Sequence, residues 1–255
     1  MPLRITRKRT ASLVKRLIKP ANPPVGSSLF DAGWYVAMYK GMIPRGMRAY
    51  DHYINYGAAL ALDPNRFFNT RWYLQHNPDV AAAGINPLIH YVAHGIAEGR
   101  EPGPLFNVAW YLEQYPDVAE AGMGALQHYL KHGADEGRDP NGWFDTQWYL
   151  DHNPDVAAAN INGYKHYLDH GVAEGRNPSP LFWTDWYVGE NPDVKAMQIN
   201  PFVHFLTYGI ESGRAPSPYF SANKLADYHT IKRADAFDRE FYCARFPDVL
   251  LHGYD

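Results

Sequence analysis

The chain has 255 residues, 46% hydrophobic and 20% charged, a folding composition that excludes a disordered polyelectrolyte. Its single cysteine, Cys243, excludes an intrachain disulfide framework and a cysteine-based zinc site. No stretch nears the roughly 18 consecutive apolar residues of a membrane span, and the first apolar run is too short for a secretory signal.

The net charge of -3 conceals a polarity. The first 19 residues hold seven of the 24 basic groups (Arg4, Arg7, Lys8, Arg9, Lys15, Arg16 and Lys19) and no acid, leaving 17 basic against 27 acidic groups in the remainder. Residues 1–29 therefore read as a basic head. After Thr10, Leu13, Val14, Leu17 and Ile18 fall on one helical face, with Lys15, Arg16 and Lys19 elsewhere on the surface. That is the composition of a short interfacial helix drawn to anionic lipid, and equally of a basic tail with no partner. The prolines and small residues of 20–28 end it as a linker.

From residue 30 to 219 the chain repeats five times at a spacing of 38 residues without an insertion. Phe30, Phe68, Phe106, Phe144 and Phe182 mark the frame, with Trp34, Trp72, Trp110, Trp148 and Trp186 four places on. His52, His90, His128, His166 and His204 recur at the same spacing, as do Gly57, Gly95, Gly133, Gly171 and Gly209. A fixed period of this length marks stacked units, each burying its apolar face against a neighbour. No segment alternates with period two, so the fold class is all-α, an α-solenoid of short helices, expected to curve over about 50 Å. The five tryptophans, equivalent by spacing, are expected in the core.

The fourth copy shows the grammar of a unit. Asp145 is placed to cap the helix through Trp148, with Phe144 stapled onto Tyr149. Asn153-Pro154-Asp155 then starts a second helix, with Asn at the cap, Pro first and Asp in the first turn. In the second copy Asn86-Pro87 opens a helix through His90 and Tyr91, which Gly95 is expected to close as a left-handed cap. The first copy departs: Tyr39-Lys40-Gly41-Met42 replaces the Asn/Tyr-Pro-Asp-Val of the others, as expected of a terminal, capping repeat. Beyond residue 219 the period fails. Residues 220–236 read as a degenerate linker, and 237–255 copy only the first third of a further, truncated repeat, as at the start of a longer protein or in a truncated gene.

Three sets of side chains invite chemistry. His90 and His94, His128 and His132, and His166 and His170 are each one helical turn apart, a spacing that presents two imidazoles to one metal ion, with Glu98, Glu136 and Glu174 as third ligands. Tyr56 and Tyr208 replace the second histidine in copies one and five, which favours a packed, hydrogen-bonded ring over metal. Asp79, Asp117, Asp155 and Asp193 form a carboxylate ladder better explained by the helix dipole. Arg100, Arg138, Arg176 and Arg214 suit a sugar acid or phosphate, but more simply stack on an aromatic or pair with an acid. No nucleophile elbow or phosphate loop is present, so no catalytic residue and no cofactor are assigned. An acidic body with its aromatics at repeat-core positions argues against nucleic acid.

The strings FNTRWYLQHNPDVAAAGINPLIHYVAHGIAEGREP and FDTQWYLDHNPDVAAANINGYKHYLDHGVAEGRNP resemble tandem repeats of bacterial proteins of cell-surface polysaccharide synthesis, where they precede or accompany glycosyltransferase domains. Similar units occur in large secreted proteins with calcium-binding repeats. The likeness covers nearly everything from Phe30 to Pro218 and resumes at Phe237. No catalytic residue belongs to the repeat, so none is carried over. The resemblance implies a non-catalytic interaction module whose partner is a protein of the polysaccharide machinery. It also implies a cytoplasmic location, with the head available for peripheral attachment to the inner membrane face. The alternatives are the amino-terminal part of a glycosyltransferase with its catalytic domain beyond residue 255, and a metal-binding module using the histidine pairs.

Overall fold

The computed structural model describes residues 27–233, which hold helices and no strand. The all-α helical-repeat class is as the period implies. The contacts divide the chain into two compact units, one ending at Glu98 and one beginning at Gly99. Residues 1–26 of the basic head, the unit that opens at Phe237 and Cys243 lie outside the described residues.

In the first unit a 3-10 turn, Ser27–Leu29, leads into α1 (Ala32–Tyr39), a second 3-10 turn (Lys40–Met42) and α2 (Ala49–His52), which widens into a π-helical turn, Tyr53–Gly57. The second repeat follows as α3 (Thr70–His76), α4 (Pro78–Ala83), α5 (Pro87–His90) and the π turn Tyr91–Gly95. The 3-10 turn of the first repeat stands where the second has its proline-led helix, because Lys40-Gly41 lacks the pre-set φ of proline at the first helical position.

The second unit runs through α6 (Val108–Gln114), α7 (Pro116–Glu120), α8 (Ala125–His128) and the π turn Tyr129–Gly133. It continues through α9 (Thr146–His152), α10 (Pro154–Ala158), α11 (Gly163–His166) and Tyr167–Gly171. Then come α12 (Thr184–Glu190), α13 (Pro192–Met197), α14 (Pro201–His204) and Phe205–Gly209. A 3-10 turn, Ala222–Lys224, introduces α15 (Leu225–Arg233). Residues 220–236, read from sequence as a linker, thus carry a nine-residue helix. Broken period is evidence only against another repeat, and Leu225, Tyr228 and Lys232 still lie along one helical face.

The leading helices start as their caps dictate: Asp145 accepts from Trp148 N-H at 3.0 Å, and Phe144 packs on Tyr149 with ring centroids 5.4 Å apart. Asn86 accepts from Leu88 N-H and Ile89 N-H at 3.1 and 3.3 Å, opening α5. Asn153 does otherwise. Its amide turns back to donate to Tyr149 O at 2.7 Å, closing α9 instead of capping α10, and Asn77 and Asn191 do the same to Tyr73 and Tyr187. At φ -133° the residue is bent out of the cap geometry that aims a side chain forward.

The core is not built on the expected tryptophan. Trp34, Trp72, Trp110, Trp148 and Trp186 are all half-buried, whereas the next residue, Tyr35, Tyr73, Tyr111, Tyr149 or Tyr187, has no exposed surface. One residue is a 100° turn on a helix, and on a helix of seven residues only one of two adjacent rings can face inward. Around each tyrosine gather the frame phenylalanine and the first residue of the π turn. In the fourth repeat Phe144 lies 5.8 Å from Tyr167 and Tyr149 lies 5.8 Å from Tyr167, centroid to centroid.

Backbone and amide contacts tie successive turns within each unit. Asn65 donates to Leu29 O at 2.6 Å while accepting from Phe67 N-H and Phe68 N-H. Asn141 repeats this on Leu105 O at 3.0 Å, and Ser179 reaches Trp143 O at 2.8 Å. A carboxylate or amide then caps the next leading helix: Asp63 on Thr70 N-H, Asp139 on Thr146 N-H, and Asn177 on Thr184 N-H, at 2.7, 2.7 and 2.8 Å. Where the threonine becomes Val108, the longer Glu101 takes the task at 2.7 Å.

Candidate functional site

The histidines and arginines flank the π turn, and the structure gives each repeated set a definite partner. His52, His90, His128, His166 and His204 are buried, and the Nδ1 of each meets the hydroxyl of the core tyrosine of its own repeat at 2.9 to 3.0 Å. Burial pushes the Tyr35, Tyr149 and Tyr187 phenols up to about 12, so they stay protonated, and the histidine tautomer sets which way each hydrogen bond runs. Burial, and then the Arg138 charge, lower the His128 pKa and favour a neutral ring.

The same hydroxyl explains the repeated glycine. A β-carbon on Gly95, Gly171 or Gly209 would stand 2.5 to 2.6 Å from the hydroxyl of Tyr73, Tyr149 or Tyr187, and Gly57 and Gly133 are closer still to Tyr35 and Tyr111. Gly95 is therefore a close-approach glycine and not the left-handed cap expected of it. The left-handed residue comes four places later, as at Gly137 (φ 73°) and Gly175 (φ 69°). Between tyrosine and glycine the helix opens by one residue, with Val172 N-H reaching Tyr167 O at 3.1 Å and Ile96 N-H reaching Tyr91 O at 2.8 Å.

The second ring of each histidine pair is exposed: His94, His132 and His170 lie on the surface, 5.5 to 5.7 Å from His90, His128 and His166 between centroids. Tyr56 and Tyr208 hold the same place at 5.9 and 5.6 Å from His52 and His204. Among the described residues no group of three His, Cys, Asp or Glu side chains is arranged to hold a metal ion. What the spacing presents as a pair of ligands is one core ring with an aromatic lying against it.

The arginines pair with the acids of the proline-led helix. Arg138 forks onto Asp117 at 2.9 and 2.8 Å and takes Glu136 at 2.7 Å, and Arg176 forks onto Asp155 at 2.9 and 2.8 Å and takes Glu174 at 2.6 Å. Arg214 forks onto Asp193 at 2.9 and 2.7 Å. The hydrogen bonds from Arg176 and Arg214 hold Asp155 and Asp193 at about 2. Position ten of the repeat, counted from the frame phenylalanine, selects the second partner: Asn153 and Asn191 accept from Arg176 and Arg214 at 2.9 and 2.7 Å, whereas Tyr115 lies under Arg138 at 4.8 Å. Each clamp joins the middle of a repeat to its end, so these arginines are committed to the fold.

The core tyrosine is the residue that sequence reasoning missed. Its signal was present: it is tyrosine in all five copies, 17 places before the histidine and 22 before the glycine. The membrane-contact candidates Arg4, Arg7, Lys8, Arg9, Lys15, Arg16 and Lys19 lie outside the described residues. No described helix is long and apolar enough to cross a membrane. No protein-family model, no curated protein and no solved structure matches the chain.

Proposed function

We propose that the chain is a non-catalytic helical-repeat interaction module that serves bacterial cell-surface polysaccharide assembly by binding a protein of that machinery. The observation that carries this reading is a division of labour within the repeat. Tyrosine, histidine, glycine and arginine are spent on one recurring framework, while the position between histidine and glycine changes freely: Lys131 and Asp169 are exposed, and Thr207 is half-buried with its hydroxyl on Val203 O at 2.7 Å. Constant framework with variable surface is how repeat proteins bind partners. The polysaccharide context and the cytoplasmic side are supported by the resemblance of the repeat strings. Contact of residues 1–19 with anionic lipid is supported by their seven basic groups.

Capture from envelope extracts tests the reading. The purified chain is expected to retain a protein of polysaccharide assembly, and a Lys131→Glu, Asp169→Lys variant of unchanged helicity is expected to lose it. Turnover of a radiolabelled nucleotide sugar by the purified chain, abolished by one substitution, would overturn the non-catalytic assignment. Salt-sensitive sedimentation with anionic vesicles, lost when residues 1–19 are deleted, is the expected result for the head. Sedimentation unchanged by the deletion contradicts it.

A further inference from the structure

Helix α15 lies against a surface made 87 to 120 residues earlier in the chain. Its face carries Leu225, His229 and Lys232-Arg233. His229 Nε2 donates to Gly142 O at 2.7 Å and its ring meets Trp110 edge-on at 5.6 Å. Lys232 pairs with Asp145, and Arg233 with Glu113 at 2.9 Å. The surface is particular to this place in the array. A β-carbon on Gly142 would stand 2.9 Å from His229 Nε2 and 3.3 Å from Leu225 Cδ2, and the equivalent positions elsewhere are Arg66, Pro104, Pro180 and Pro218. Glu113 and Asp145 occur together only here, the equivalent pairs one period apart being Ala37 with Asn69, Gln75 with Asn107, Asp151 with Trp183 and Gly189 with Ser221.

The hold is shallow. None of the α15 residues whose side chains are described is fully buried, both ion pairs have a partner side chain about half exposed, and the buried Trp110 indole N-H finds no acceptor. A helix seated mainly by charge at its basic end, leaving a covered donor unpaired, is replaceable by a helix that supplies the same charges together with an acceptor.

We propose that Trp110, Glu113, Gly142 and Asp145 form a docking site for a basic amphipathic helix of a partner protein, and that α15 occupies it as an internal ligand. This deepens the interaction-module reading and rests on it, but it is tested apart from any polysaccharide protein. The probe is a fluorescent peptide of residues 221–233, and the target is the full chain carrying Lys232→Glu and Arg233→Glu. Because an occupied site lowers apparent affinity by the free fraction, that variant is expected to bind the peptide at least about tenfold more tightly than the unmodified chain. Added salt should weaken the binding. Gly142→Pro, which installs the residue its neighbours carry, should abolish it with helicity unchanged. Glu113→Lys should weaken it and be rescued by a peptide carrying Arg233→Glu. Equal binding to both chains, no binding to the variant, or binding that survives both Gly142→Pro and Glu113→Lys overturns the proposal. So does a dimer of the unmodified chain that Gly142→Pro dissolves, which would make the occupant a second copy.

Discussion

The hydroxyl of Tyr149 lies 2.5 Å from the point where a β-carbon on Gly171 would stand, and 2.9 Å from His166 Nδ1. One oxygen thus uses both residues: it needs the imidazole as partner and the bare backbone of the glycine as room. Gly171→Ala is expected to destabilise the protein by about 1 to 3 kcal/mol through overpacking. Gly189 is the control, being exposed in α12 with nothing within 4 Å of its would-be β-carbon. Gly189→Ala is expected to stabilise by about 0.5 to 1 kcal/mol, since there alanine only restricts the unfolded chain. Denaturant unfolding of the two variants reads both signs.

Tyr149→Ala is expected to cost about 3 to 5 kcal/mol, because a fully buried ring leaves a cavity the short helices cannot close. Trp148→Ala should cost clearly less. Its ring is half-buried and stacks on His152 at 4.0 Å between centroids. Equal losses in chemical denaturation would place the two rings at equal depth and contradict the structure.

The joint carboxylates make stability fall as pH rises. Burial first, offset by the Thr146 N-H and raised again by Asp145, holds Asp139 at about 6, and burial holds Asp63 at about 6. An unfolded aspartate titrates near ~3.9, so the folded chain binds these protons more tightly and loses stability between about pH 4 and 6. Asn177 makes the same cap without a charge, accepting from Thr184 N-H at 2.8 Å. Asp139→Asn is therefore expected to raise stability at pH 7 to 8 by on the order of 2 kcal/mol and to flatten its share of the acidic slope. Unfolding midpoints measured from pH 4 to 8 test this, and an unchanged slope would show that the group is not held in its neutral form.

The exposed clamps titrate in the opposite sense. Asp155, held at about 2 by the Arg176 fork, contributes stability above the unfolded value that is lost as pH falls from about 4 toward 2. In Arg176→Lys the fork is gone, and the Asp155 carboxyl is expected to move up toward the ordinary aspartate range, followed by carboxyl NMR titration. A carboxyl that stays low would assign the shift to the helix dipole.

The repeat, its all-α class and the caps Asp145 and Asn86 were legible because each depends on residues adjacent in sequence. The inward ring was not, since Trp148 and Tyr149 are neighbours of similar size and only packing from Phe144 and Tyr167 decides between them. The role of Gly171 was hidden for a related reason: a glycine after a helix suggests a left-handed cap, and only the approach of Tyr149 from 22 residues earlier shows that space is what it provides. The docking of α15 rests on Glu113, Gly142 and Asp145, each unremarkable alone.

The interlock of tyrosine hydroxyl and glycine is the feature on which every repeat depends, and a double-mutant cycle on Tyr149→Phe and Gly171→Ala measures it directly. Phenylalanine removes the oxygen that a new β-carbon would strike, leaving only the softer contact with the Tyr167 ring at 3.0 Å. The double variant is expected to be less destabilised than the sum of the single variants by about 1 kcal/mol or more. Losses that add within about 0.3 to 0.5 kcal/mol would mean that the two residues do not share one space, and would contradict the interlock.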